Sequence, residues 1–71
     1  MPAAERLWRV RKNHTWIDAQ LHDSGHATFE LRLLYDGDVI LRRECATRTA
    51  AVSCAAERLR ELQRAGWNTH W

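Results

Sequence analysis

Apolar and polar residues alternate along much of the chain with the period of two that marks half-buried strands. Leu7-Trp8-Arg9-Val10-Arg11 sets apolar against basic positions until Lys12-Asn13-His14 interrupts the pattern. Ile17, Ala19 and Leu21 then form an inward row, with Trp16, Asp18, Gln20 and His22 on the opposite side. These two pieces read as one bent strand or as two short ones. Asp23-Ser24-Gly25 supplies turn chemistry. A further strand begins near Ala27 and runs through Phe29-Glu30-Leu31-Arg32-Leu33-Leu34-Tyr35 to a turn at Asp36-Gly37, and Asp38-Val39-Ile40-Leu41-Arg42-Arg43 returns as the second arm of a hairpin. Residues 1–6 are small and polar, and a frayed start is expected there.

Side-chain pairing argues for one hairpin register. A two-residue loop at Asp36-Gly37 would set Leu31 opposite Arg42 and Leu34 opposite Val39, scattering apolar residues over both faces. A three-residue loop, Tyr35-Asp36-Gly37 with Gly37 left-handed, pairs Leu33 with Val39 and Leu31 with Leu41. The covered face predicted in this way is Phe29, Leu31, Leu33, Val39 and Leu41, with Glu30 opposite Arg42 on the other side.

The covering element is a C-terminal helix. Thr47 or Thr49 can cap its start, and Val52, Ala55, Ala56, Leu59 and Leu62 fall on one stripe at helical spacing. Glu57, Arg58, Arg60, Glu61 and Arg64 point largely outward. Gly66 fits the position after the C-cap, and Trp67 the next, where a Schellman ending brings an apolar side chain back onto Leu62. The predicted fold is therefore α+β: a three-stranded antiparallel meander with one C-terminal helix packed on one face, as a single small domain over 1–71.

At 71 residues, 45% of them apolar and 28% charged, the chain is near the size where a single core gives only a few kcal/mol of net stability. Eleven basic residues, ten of them arginine, stand against nine acidic ones. That balance of +2 is too even for an electrostatic footprint made for nucleic acid. No apolar run approaches membrane-spanning length and no secretory pattern opens the chain, so the expectation is a cytoplasmic protein without a membrane partner. Cys45 and Cys54 then read as buried free thiols.

Candidate chemistry is sparse. His14, His22, His26 and His70 are scattered and the cysteines form no close pair, so no metal and no cofactor is assigned. His22 with Asp18 could form a base and its orienter on one strand, but no nucleophile is placed beside them. With three glycines there is no phosphate-cradling loop. The expectation is a protein that is not an enzyme.

The stretch from Phe29 to Trp71, with Glu30-Leu31-Arg32, Tyr35-Asp36-Gly37, Arg42-Arg43, Thr47-Arg48-Thr49-Ala50-Ala51 and Glu61-Leu62-Gln63-Arg64-Ala65-Gly66-Trp67-Asn68-Thr69-His70-Trp71, resembles short bacterial proteins to which no activity is attached. That resemblance implies a fold and nothing more. In shape, three antiparallel strands and a helix resemble the arm-binding domains of tyrosine recombinases and the plant AP2 domains, whose sheet enters the major groove. They also resemble the later part of double-stranded-RNA-binding domains, where a lysine pair at the start of the last helix contacts phosphates. This chain has Arg48 near that position and no lysine pair. Likeness of shape is weak evidence for function.

One helix covers one side of the sheet, which leaves the other as the candidate surface: Trp16, Arg32, Leu34, Ile40 and Arg42, continued by Arg9 and Arg11. Leu34, Ile40 and Trp16 suit a protein partner or a homodimer, and this is the favoured reading. The arginines with Trp16 suit nucleic acid, as in sheets that stack bases, and this is the alternative. Asp18, Glu30 and Glu44 share the face and offset its positive charge. Of the four tryptophans, Trp8 and Trp67 are expected in the core, and Trp71 is expected to fold back over the sheet edge.

Overall fold

The computed structural model describes residues 4–23 and 25–69. It contains β1 (Glu5–Lys12), β2 (Thr15–Asp23), β3 (Phe29–Tyr35), β4 (Asp38–Cys45), α1 (Arg48–Arg64) and β5 (Asn68–Thr69). The strands form one antiparallel sheet in the order β4-β3-β2-β1-β5, and α1 carries the chain across one face from the β4 edge to the β1 edge.

The three-strand expectation is corrected to five strands. Residues 7–22 are two strands joined by a two-residue turn at Asn13-His14, with Lys12 opposite Thr15. Asn13 takes the left-handed conformation at φ 57, which its short polar side chain tolerates, and the Thr15 hydroxyl donates to the Lys12 carbonyl at 2.6 Å. β1 begins at Glu5, inside the stretch read as frayed, and Glu5 holds Arg48 at the start of α1. The fifth strand is a two-residue pairing of Asn68 with Arg11 and Thr69 with Val10. The expectation for Trp71 lies outside the described residues.

The hairpin register is corrected as well. Tyr35 is opposite Asp38 and Leu34 opposite Val39, so Asp36-Gly37 is a two-residue turn, with both residues at positive φ (49 and 90). The register then shifts between Leu33 and Leu34, so that Leu33 meets Leu41 and Leu31 meets Arg43. Ile40 is the extra residue of this β-bulge. The tight turn and the apolar pairing, which exclude each other in a regular ladder, are thus reconciled by one inserted residue. Val39 consequently belongs to the open face rather than the covered one, and Glu30 faces Glu44 instead of Arg42.

β1 carries the matching irregularity. Arg6 pairs with Gln20 and Trp8 with Ala19, leaving Leu7 as the extra residue. Leu7 packs on both core clusters and Trp8 is buried, so two consecutive apolar residues face α1. A regular strand would turn one of them to water. Each bulge thus adds one hydrophobic residue to the helix side of a small sheet.

Beneath the helix lie Trp8, Val10, Ile17, Ala19, Leu31 and Leu33, with Leu21, Cys45 and Ala51 forming a second cluster. Ala51 and Ala55, at 0% and 1% exposure, are the closest-packed helix positions, and Cys54, Leu59 and Leu62 extend the contact. The contact stripe is therefore rotated from the predicted one: Val52 and Ala56 lie at its margin, half-buried. Thr47 is the N-cap, its hydroxyl accepting from the Ala50 N–H at 3.0 Å. At the other end Trp67 N–H donates to the Leu62 carbonyl and Gly66 N–H to that of Gln63, with Gly66 at φ 97. That is the Schellman ending expected from Gly66-Trp67. The Lys12 ammonium adds a donor to the Ala65 carbonyl at 2.8 Å, where the negative end of the helix favours a cation.

Candidate binding surfaces

The open face is ordered in cross-strand rows by the registers. Arg11 stands opposite Trp16, and Arg9 lies opposite Asp18, which is opposite Leu34, itself opposite Val39. The next row is Arg6, Gln20, Arg32 and Arg42, and the last is His22, Glu30 and Glu44. Six of the seven predicted surface residues, Trp16, Arg32, Leu34, Arg42, Arg9 and Arg11, thus share one face. Ile40 does not. As the bulged residue it turns toward the helix side, where it lines a depression with Leu41 and Leu62. Arg6 and Val39 join the open face unforeseen. Two adjacent apolar pairs, Leu7-Trp8 and Ile40-Leu41, were the signal for both bulges.

Two ion pairs, Arg9–Asp18 and Arg32–Glu30, engage charges on this face. The Arg9 guanidinium grips Asp18 with both branches, Nε to Oδ1 at 2.6 Å and Nη2 to Oδ2 at 3.0 Å, and the fork raises the Arg9 pKa. Arg32 is paired with Glu30, which holds the Glu30 carboxyl below its ordinary pKa. Arg9 and Arg11 both lie over the Trp16 ring, each guanidinium carbon 5.1 Å from the centroid. The His22 imidazole is within 3.1 Å of the Gln20 side-chain oxygen, and its pKa is lowered, first by burial and then by Arg32, with Glu30 opposing.

The turn is tied to this face through its backbone. Asp36 N–H donates to the Trp16 carbonyl at 2.9 Å, and Trp16 N–H donates to Asp36 Oδ1 at 2.9 Å. A depression of about 400 Å³ lies beside it, lined by Arg9, Trp16, Asp18, Leu34, Asp36 and Gly37.

No strand among the described residues neighbours the outer side of β4. Among the described residues, the exposed large hydrophobics are Tyr35, Val39 (39%) and Ile40 (57%), all at this end of the molecule. A groove of about 310 Å³ between β4 and α1 is lined by Ile17, Leu33, Ile40, Leu41 and Leu62, with Arg58 and Glu61 at its rim. A polar depression of about 480 Å³ lies at the β1–β2 turn, lined by Arg11, Lys12, Asn13, Gly66, Asn68 and Thr69.

Catalytic and metal chemistry find no assembled site among the described residues. Asp18 and His22 are four residues apart on β2, a span of about 13 Å at strand rise, and each has a different partner. No group of three metal-ligating side chains comes together among the described residues. Cys45 is buried and Cys54 half-buried, both as free thiols. Among the described residues, no helix is long and apolar enough to cross a membrane.

These surfaces define a small α+β protein, a five-stranded antiparallel sheet covered on one side by a helix and carrying an open charged face beside an apolar edge. No family model matches the chain, and no curated protein and no solved structure matches it. The likeness in shape to three-stranded DNA-binding sheets no longer applies, because it depended on a strand count that the β1–β2 hairpin and β5 overturn.

Proposed function

We propose that this protein is a non-catalytic, cytoplasmic binding module that engages another protein chain along its β4 edge. The observation that carries the reading is the coincidence, among the described residues, of a strand edge without a neighbour, an apolar groove and the exposed Tyr35, Val39 and Ile40. Strand addition uses those parts: backbone groups of the edge give affinity, and side-chain pockets beside it give selectivity. A photo-crosslinking residue at position 40, with one at Glu57 on the outer face of α1 as control, tests it. Protein adducts that form at position 40 and not at 57 are the expected result; adducts at neither, or equally at both, overturn the reading.

A polynucleotide reading draws on one observation, the row Arg6, Arg32 and Arg42 across the open face. Against it stand Asp18, Glu30 and Glu44 on the same face, and the two guanidiniums lying over Trp16. Titration with single- and double-stranded oligonucleotides at several salt concentrations separates the two readings. Salt-sensitive quenching of tryptophan fluorescence would displace the protein-partner reading.

A further inference from the structure

We infer that the partner of the β4 edge is β4 of a second copy of this chain, paired antiparallel about a two-fold axis with Asp38 opposite Arg43 and Val39 opposite Arg42. The inference rests on the edge-binding reading and names its occupant.

Asp38 lies opposite Tyr35, whose ring meets Trp67 edge-on, so Asp38 is on the helix side. Arg43 is on the same side, opposite the buried Leu31 and with Nη1 3.9 Å from Cys54 Sγ on α1. Ile40 and Leu41 both line the groove beside α1. Val39 and Arg42 face the other way, opposite Leu34 and Arg32. In a two-fold strand pair each residue must meet one that points to the same face of the joined sheet. A regular strand cannot match Asp38 with Arg43, since their odd separation puts them on opposite faces. The bulge at Ile40 removes that obstacle.

The pairing meets the hydrogen-bonding requirement as well. Tyr35 and Asp38 flank the two-residue turn, so their N–H and C=O groups turn toward each other, and those of Val39 turn outward. Past the bulge, the next residue to turn outward is Arg42. Val39 of one copy therefore meets Arg42 of the other with both sets of backbone groups available. On the helix side, Ile40 and Leu41 of each copy form a four-residue apolar centre flanked by two Asp38–Arg43 ion pairs. Neither residue has a carboxylate or guanidinium partner among the described residues.

Shifts of the register by one step fail. One step sets Ile40 against itself and Val39 against Leu41, which face opposite ways. A step in the other direction sets Ile40 against Arg42, and a register centred on Arg43 opposes two guanidiniums. Edge charges and bulges usually discourage strand addition. Here they exclude generic strands and admit the one that carries the complementary charges in the complementary register.

Sedimentation equilibrium of the full chain over about 10 µM to 1 mM tests the proposal, a range suited to a small, weak interface. The wild type is expected to form a dimer. Asp38→Arg and Arg43→Asp are each expected to weaken it at least about tenfold, since each breaks two ion pairs and opposes like charges. The double exchange, Asp38→Arg with Arg43→Asp, is expected to restore the wild-type constant to within about threefold. A dimer indifferent to Asp38→Arg, or a double variant no better than the singles, overturns the proposal. A wild-type monomer that still crosslinks from position 40 to a different protein overturns the second copy and leaves the edge reading standing. A monomer without such adducts removes both. Circular dichroism on every variant separates lost pairing from lost folding.

Discussion

The indole N–H of Trp8 donates to the carbonyl of Ala55 at 3.0 Å, joining the bulged segment of β1 to the middle of α1. Trp8 is 4% exposed and has Ala55 in its cluster, so the bond sits inside the main core. Trp8→Phe keeps most of the apolar volume and loses the donor, and about 1–2 kcal/mol is the expected cost. Trp8→Ala removes the ring as well, a loss of about 3–5 kcal/mol that a domain of this size does not survive. Urea unfolding followed by circular dichroism checks both. A Phe variant as unstable as the Ala variant would mean that the hydrogen bond dominates over packing.

The parts of this arrangement that the sequence revealed are those set by local chemistry. The rows Ile17, Ala19, Leu21 and Leu31, Leu33 are buried as their alternation requires, and the cap at Thr47 and the ending at Gly66-Trp67 form as their residue types require. What was hidden depends on partners distant in the chain. Asn13-His14 lacks the glycine that announces a two-residue turn, and β5 is a strand only because β1 offers it an edge. Both bulges are choices made on the helix side, where Leu7 packs on the core clusters and Ile40 lines the groove beside α1. The position of Ile40, and with it the reading of the β4 edge, follows from one of those choices and could not be had from a period of two.

Gly66 holds φ 97 while passing the helix end to Trp67, and a Cβ built there would come no closer than 3.7 Å to the Lys12 side chain. Space is therefore available and the backbone conformation alone is at issue. Gly66→Ala is expected to lose about 1–2 kcal/mol, and Gly66→Asn less, because asparagine enters the left-handed region more readily. Thermal unfolding of both variants measures the difference. Equal losses would point to the side chain instead of the backbone.

Asp36 is bonded to Trp16 twice, through its N–H and through its carboxylate, while holding φ 49 in the β3–β4 turn. Asp36→Asn keeps an accepting oxygen and the tolerance for that conformation, so it is expected to stay within about 0.5–1 kcal/mol of wild type. Asp36→Ala loses the acceptor and strains the turn, at about 2 kcal/mol. Chemical denaturation ranks them. Tryptophan emission should also shift more in the Ala variant than in the Asn variant, since the loosened turn borders Trp16.

His22 makes folding sensitive to mild acid. Burial lowers its pKa below the ordinary 6.5, with Arg32 adding to the shift and Glu30, directly opposite across the strands, opposing it. The unfolded chain therefore takes up a proton at a higher pH than the folded one. Stability from this group is intact above 6.5 and falls as the pH drops toward the folded value, below which no further loss comes from it. His22→Gln removes the titration while keeping a polar side chain. The difference in unfolding midpoint between wild type and His22→Gln, followed from about pH 7.5 to about pH 5, isolates His22 from the other histidines. It should move against the wild type as acid is added. A difference that stays flat would show that protonated His22 is accommodated by Glu30 as readily as the neutral ring is by its surroundings, and that the carboxylate outweighs burial and Arg32 together.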